Sequence, residues 1–199
     1  MQFVAKIYEI RWQGRGGQGI VLANMVFAIA ALKEGKYVQA FPEFGPERSG
    51  APVRGFTRLS TGPIDLHQQV YTPDVLAVVD SAFLNQASTF GGLKPEGTLV
   101  ANIEDAPNYP VNELRKQFKL ARQKIVRIDA VKIGREVFNR PIHNTTMMGA
   151  VARATGFVKP ESIVDTIRER ALPQLERFTE KIIEQNAQAI RRGYEEAIF

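Results

Sequence analysis

Ala5 to Gly35 reads AKIYEIRWQGRGGQGIVLANMVFAIAALKEG and holds three elements in order. Residues 5–12 alternate apolar and polar, as a strand does. A glycine cluster follows, Gly14-Arg15-Gly16-Gly17-Gln18-Gly19. Ile20 to Leu32 is then apolar nearly all round, the pattern of a helix buried on every side. Gly35 sits where a helix C-cap glycine belongs. Strand, glycine turn and buried helix in that order point to an α/β domain.

Outward from this stretch, further strands alternate with helices. Tyr37 to Phe41 reads as a strand, and a loop dense in proline and glycine is expected from Pro42 to Pro52. Val53 to Leu59 reads as another strand, with Thr61-Gly62-Pro63 as a turn. The apolar runs Val75–Val79, Leu99–Ala101 and Ile125–Ile128 have the character of central strands covered on both faces. Val111 to Leu120 fits a polar helix. Thr145 to Thr155 is small and apolar, suited to close helix packing. Pro160-Glu161 starts a helix with proline in its first turn, and Pro173 interrupts it. From Gln174 onward Leu175, Phe178, Ile182, Ala189 and Ala197 form one apolar stripe, which predicts a long C-terminal amphipathic helix. The expected fold is a single domain over residues 1–199. It is a three-layer, Rossmann-like α/β sheet, mostly parallel, with helices on both faces.

Composition narrows the chemistry. The 199 residues include no cysteine and only two histidines, His67 and His143. Disulfides, thiolate iron–sulfur or zinc ligation and a cysteine nucleophile are excluded, and no metal ligands are expected. Both histidines are isolated and read as ordinary hydrogen-bonded or exposed residues. Net charge is +5, but the basic residues, Arg115-Lys116 and Arg122 to Lys124 among them, are spread at helical spacing. They fit solvated faces or subunit contacts better than a nucleic-acid track. No leader pattern and no apolar run long enough to cross a bilayer stand out, so the chain reads as cytoplasmic.

Two segments carry candidate binding chemistry. In the first, Gly14, Gly16 and Gly19 satisfy G-x-G-x-x-G between a strand and a helix, where exposed amides and the helix dipole can hold an anion. Arg15 could add a charge-assisted contact. The acidic residue that a dinucleotide's ribose would need about 20 positions on has no clean candidate. A tight turn that binds nothing accounts for the same glycines. The second segment, Phe41 to Val53 (FPEFGPERSGAPV), is stiffened by prolines and carries Glu43, Glu47 and Arg48. It is either a rigid corner with an internal Glu–Arg pair or a binding loop. Asp80, at the end of a central strand, either caps the next helix or faces a ligand. Asn144 is read first as the N-cap of its helix.

GRGGQG opening an apolar helix, followed by FPEFGPERSGAPV leading into a strand, resembles the gamma subunit of pyruvate-type 2-oxoacid:ferredoxin oxidoreductases. PDVLAVVD (Pro73–Asp80) and Asn144-Thr145-Thr146-Met147-Met148-Gly149-Ala150 extend the likeness over nearly the whole chain. The resemblance implies a multi-subunit enzyme that oxidatively decarboxylates a 2-oxoacid to acyl-CoA and passes electrons to ferredoxin or another acceptor. Thiamine diphosphate with Mg2+ would lie between alpha and beta subunits, and [4Fe-4S] clusters in beta and delta. This chain would bind no cofactor alone and hold no catalytic residue. It would help to form the CoA side of the cavity. The residues implied are Gly14, Arg15, Gly16, Gly17, Gln18 and Gly19 of the turn, Glu47, Arg48, Ser49 and Gly50 of the loop, and Asn144 and Thr145. PEFGPER looks like the pyruvate and branched-chain branches, and complexes acting on aromatic oxoacids such as phenylglyoxylate share the module. A stand-alone nucleotide-binding oxidoreductase and a non-enzymatic binding module are the competing readings. A chain without cysteine should, when purified alone, show neither iron–sulfur absorbance in the visible nor decarboxylase turnover. Either signal would contradict the resemblance.

Overall fold

In a computed structural model, which describes residues 6–44 and 50–199, the chain forms six strands and six α-helices. They are β1 (Ile7–Arg15), α1 (Ile20–Lys33), β2 (Tyr37–Phe44), β3 (Pro52–Ser60), β4 (Val75–Val78), β5 (Thr98–Asn102), α2 (Val111–Phe118), β6 (Lys124–Ile128), α3 (Ala130–Phe138), α4 (Asn144–Thr155), α5 (Pro160–Arg168) and α6 (Glu180–Glu195). Two short 3-10 turns, Ser81–Asn85 and Ala87–Phe90, join β4 to β5. Glu47, Arg48 and Ser49 lie outside the described residues. No helix among those described is long and apolar enough to cross a membrane.

The strands form one sheet in the order β2-β3-β1-β4-β5-β6. β1, β4, β5 and β6 pair in parallel. β3 runs antiparallel between β1 and β2, so every strand but β3 points the same way. The expected mostly parallel, three-layer architecture is therefore present. One face of the sheet packs on α1 and on α3 to α6, around Trp12, Phe27, Val100, Met147, Ile163 and Ile190. The other face of β4 to β6 packs on α2 and the 3-10 turns, around Leu76, Leu99, Phe83 and Phe118. Burial of this scale, at roughly 25 cal/mol per Å² of apolar surface, is what offsets the entropy of ordering the chain.

Several expectations need correction. β2 continues through Pro42 to Phe44, where a loop was expected. It is an edge strand, so the missing proline N–H breaks no ladder. Gly14 and Arg15 belong to β1, opposite Val53 and Pro52, and the turn proper begins at Gly16. α6 does not run from Gln174. Pro173–Leu175 forms a 3-10 turn, and the Thr179 hydroxyl accepts from the Ile182 amide to start the helix at Glu180. α3 was not anticipated, and its central glycine hid it. A Cβ on Gly134 would meet the Ile142 carbonyl oxygen at 2.4 Å, so close passage of residues 140–142 fixes that position.

The alternation of β1 does not mark a solvent face either. Ile10 and Trp12 are buried on one side, and Arg11 and Gln13 are buried on the other. Arg11 donates to the carbonyls of Gly91 (2.9 Å) and Thr89 (2.5 Å). Burial, reinforced by nearby Arg54 and opposed by Glu43, lowers its pKa to about 10, which still leaves it charged at neutral pH. α1 is tied to the sheet by a polar contact inside its apolar surface. Asn24, fully buried, accepts from the Thr57 hydroxyl, which in turn accepts from Trp12 Nε1 at 3.0 Å.

The closest helix packing is between α4 and α6. Thr145 bonds Asn186, Gly149 lies against the Ile190 carbonyl, and Arg153 lies over Tyr194. Equal steps along both chains mean that the two helices run parallel, with their N-termini at the same end. A Cβ on Gly149 would stand 2.0 Å from the Ile190 oxygen, and one on Gly193 would stand 2.1 Å from the Thr146 oxygen. Gly193→Ala should therefore lower stability by about 1–3 kcal/mol through overpacking. That corresponds to a fall of roughly 2–12 °C in a thermal melt. An unchanged melt would show that the helices separate without cost.

Candidate functional site

The site begins where β1 and β4 end side by side. After β1 the chain turns to one face of the sheet as α1, and after β4 it turns to the other face as the Ser81 3-10 turn. Such a divergence opens a crevice at the carboxyl ends of parallel strands. The turn 16–19 sits there, with Gly19 at φ +71 as N-cap of α1. A side chain at Gly19 is strained by that φ and blocked as well, because a Cβ would meet Asn144 Nδ2 at 2.5 Å.

Two groups grip the turn from opposite sides. Asp80 Oδ2 accepts from Arg15 Nε at 2.9 Å and from Gln18 Nε2 at 2.8 Å, while Oδ1 accepts from the Ala82 amide at 2.9 Å. Gln18 Oε1 in turn accepts from the Arg15 amide at 2.8 Å. Burial of Asp80 favours the protonated acid. The Ala82 amide, Gln18 and Arg15 outweigh it and hold the carboxyl below the ordinary aspartate range. On the far side Asn144 Nδ2 donates to the Gly19 carbonyl at 3.4 Å. Asn144 is the first residue of α4, and the N-cap is His143, which corrects the expected capping role. Asp80, by contrast, does cap its 3-10 turn.

Beyond the turn lies a cleft of about 1000 Å³, at the upper end of the range for small-molecule sites. Three helix N-termini meet at it: Gly17 to Gly19 before α1, His143 to Thr145 at α4, and Thr179, Lys181 and Ile182 at α6. Each brings unpaired first-turn amides and the positive end of a helix dipole. Arg140, Arg177 and Lys181 line the same cleft, and no carboxylate does among its described residues. Leu22, Val26, Met148 and Phe178 supply apolar wall. The arrangement suits an elongated ligand with phosphate at one part and an apolar arm at another.

The expected residues divide. Gly17, Gln18, Gly19, Asn144 and Thr145 line the cleft. Gly14, Arg15, Gly16 and Gly50 do not; they stand behind the turn. The Gly16 amide bonds the Ala51 carbonyl at 2.9 Å, and Arg15 Nη1 reaches the Gly50 carbonyl at 3.3 Å. Arg15 is thus engaged by Asp80 and Gly50 rather than extended toward a ligand. Arg140, Arg177 and Lys181 escaped sequence reading because exposed cations in three distant segments carry no local pattern. A hint exists at Lys181, a cation in the first turn of a helix, where a positive charge opposes the dipole. A dinucleotide site of the usual kind is not formed. β3 lies between β1 and β2, so the second strand, whose end would carry the ribose-binding acid, does not lie beside the turn.

Residues 9–196 match the model of the pyruvate ferredoxin/flavodoxin oxidoreductase family. The chain belongs to this family. It is 44% identical to the pyruvate/ketoisovalerate oxidoreductases common subunit gamma of Pyrococcus furiosus, over 94% of this chain and 95% of that one. It is 42% identical to the NADH-dependent phenylglyoxylate dehydrogenase subunit gamma of Aromatoleum evansii, over 96% and 94%. The crystal structure of the pyruvate oxidoreductase subunit PORC of Thermotoga maritima superposes with a TM-score of 0.80 at 39% identity, covering 97% of this chain and 98% of that one. The chain therefore corresponds to a gamma subunit of the family over its length, and to a component of an oxidoreductase of several subunits.

His143 lines the cleft and borders this network. Burial, the largest influence, pushes its pKa below 6.5, Asp80 pulls it upward, and Arg135 adds to the lowering. The folded chain thus favours neutral imidazole. Its contribution to stability is intact above pH 6.5 and is lost as pH falls below that value. An NMR titration of His143 should give a midpoint below 6.5. A midpoint above it would mean that the Asp80 charge outweighs burial.

Proposed function

We propose that the chain, as gamma subunit of a pyruvate-type 2-oxoacid:ferredoxin oxidoreductase, forms the CoA side of the active-site cavity. Its cleft would receive a phosphate-bearing part of CoA. The observation that carries this reading is the meeting of three helix N-termini with Arg140, Arg177 and Lys181 at one cleft without an opposing carboxylate. CoA joins phosphates to a long, weakly polar arm, and the cleft joins a cationic rim to an apolar wall.

The relatives support a role apart from oxoacid choice. The Pyrococcus subunit is named as common to pyruvate and ketoisovalerate oxidoreductases, and a gamma subunit of similar sequence belongs to a phenylglyoxylate enzyme. A chain that serves different oxoacids fits a function common to their reactions, and acceptance of the acyl group by CoA is such a function. Which oxoacid is used would then be decided by the alpha and beta subunits. Thiamine diphosphate with Mg2+ and the [4Fe-4S] clusters belong, in this reading, to alpha, beta and delta. The chain has no cysteine and so supplies no thiolate to hold a cluster. Electrons would leave the partner subunits for ferredoxin, in the cytoplasm, with neither nucleic acid nor membrane involved.

In this assignment Gly17, Gln18 and Gly19 contact the ligand through their backbone amides, the Gln18 side chain being held by Asp80 and the Arg15 amide, and Asn144 and Thr145 contact it directly. Gly14, Arg15, Gly16 and Gly50 support the turn. Glu47, Arg48 and Ser49, which precede Gly50 in the sequence, are assigned to the same function on the family motif alone. The chain positions CoA, and the bond-making groups lie in other subunits.

In the assembled complex Arg177→Ala/Lys181→Ala should raise the KM for CoA by on the order of tenfold, the loss expected for charge-assisted phosphate contacts on a partly exposed rim. The KM for the oxoacid should stay as in wild type. If the KM for CoA is unchanged, the cleft does not hold CoA.

A further inference from the structure

We infer that Asp80 is a positioning residue for CoA, acting through the turn 16–19 without touching the ligand. The inference rests on the proposed CoA role of the cleft and adds a residue and a mechanism to it.

Asp80 does not line the cleft; it stands behind the turn, with its side chain 14% exposed. Its contacts fasten three chain segments that meet at this end of the sheet. Through Ala82 it fixes the start of its own 3-10 turn. Through Arg15 it fixes the end of β1, and the same guanidinium reaches on to Gly50 and lies over the Phe83 ring at 5.1 Å. Through Gln18 it fixes the turn. The Gln18 contact matters most, because the carboxamide is held at both ends. Its NH2 donates to Asp80, so its oxygen must face the Arg15 amide, and that second bond closes the turn.

The result is a relay from carboxylate to carboxamide to backbone. It orients Gly17 to Gly19 and, with them, the first amides of α1. The opposite wall is set by Asn144 on Gly19. Between these two holds the turn has little freedom, and an anion meets amides that are already aligned. Preorganisation of this kind lowers the cost of ordering a loop on binding. The carboxylate also neutralises Arg15, so that this cation stays behind the turn and does not compete for the phosphate.

Asp80→Asn keeps the size of the side chain and can keep the bond from Ala82. It presents an NH2 group, however, where Arg15 Nε and Gln18 Nε2 both donate. Gln18 must then release Asp80 or rotate and give up the Arg15 amide. Gln18→Leu removes the same arm of the relay and leaves Asp80 bonded to Arg15 and Ala82.

The test is steady-state kinetics of the purified complex, with Arg177→Ala/Lys181→Ala as comparator. Asp80→Asn should raise the KM for CoA about tenfold, the order expected when a partly buried donor loses its acceptor. The KM for the oxoacid and the subunit composition should not change. Gln18→Leu should shift the KM for CoA in the same direction, and the double variant should be no worse than the more affected single one, since both act through one contact. Additive effects would overturn the relay. If the rim variant raises the KM for CoA while Asp80→Asn leaves it alone, the inference fails and the CoA assignment stands. If neither variant moves it, both fail. Should Asp80→Asn not assemble, Gln18→Leu decides alone: a raised KM for CoA supports the relay, and the wild-type value overturns it.

Discussion

The approach of α4 to α6 through Gly149 and Gly193 is the constraint on which the rest of the molecule depends. At both positions a single carbon would collide with a backbone carbonyl, at 2.0 and 2.1 Å. Parallel helices side by side set like dipole ends together, which is unfavourable on its own. Close packing offsets this: Thr145, Met147, Met148 and Val151 of one helix and Ile183, Ala187 and Ile190 of the other are all buried. Because the pair is parallel, both N-termini face the same way. The first turn of α6 overhangs the start of α4, and α1 begins beside them at Gly19. A cleft with three converging positive helix ends thus follows from two residues that lack a side chain.

That convergence explains the distribution of charge around it. The arginines farther along α6 are neutralised locally: Arg191 pairs with Glu161, and Arg192 with Glu196 and Glu136. Arg170 bonds Glu180 at the start of the helix. Arg140, Arg177 and Lys181 pair with no carboxylate among the described residues. Unpaired cations beside helix N-termini raise the local potential, and an anion entering the cleft relieves repulsion that the folded chain otherwise carries. The overall charge of +5 gives no hint of this. Where the unpaired charges stand is what matters.

Legibility in the sequence followed the reach of each interaction. α1 could be read because it is apolar nearly all round, although the expectation of burial on every side needs correction: its face of Val21, Leu22, Met25 and Ile29 is only partly buried and Leu32 is exposed. β4, β5 and β6 could be read for the same reason. Errors arose where a contact distant in sequence overrode a local signal. Pro42 looks like a strand breaker and is harmless on an edge. Arg11 looks like a solvent residue and is buried under the carbonyls of residues 89 and 91. Gly134 weakens the helical pattern of residues 130–138, for which no element is expected from sequence, and is the point where Ile142 approaches. For the site, Gly17 to Gly19 and Asn144-Thr145 were visible as motifs, because close backbone approach demands particular residue types. The cations of the rim were not, since only the fold gathers residues 140, 177 and 181.

The same distinction bears on Arg15 and Asp80. By residue type, Arg15 in a glycine-rich turn is a candidate anion ligand, and Asp80 after a central strand either caps the next helix or faces a ligand. In the fold each is the other's partner. Arg15 can face Asp80 because β1 and β4 are parallel neighbours whose last paired residues, Gln13 and Val78, stand in register, so the following residues diverge from a common edge. A side chain two positions beyond Gln13 and one two positions beyond Val78 then meet across the crevice. Their charges cancel behind the turn, and the backbone amides are left to face the cleft. In a chain with no thiolate of its own, recognition by aligned amides is what the fold is equipped to supply. Such recognition depends on how firmly the turn is held.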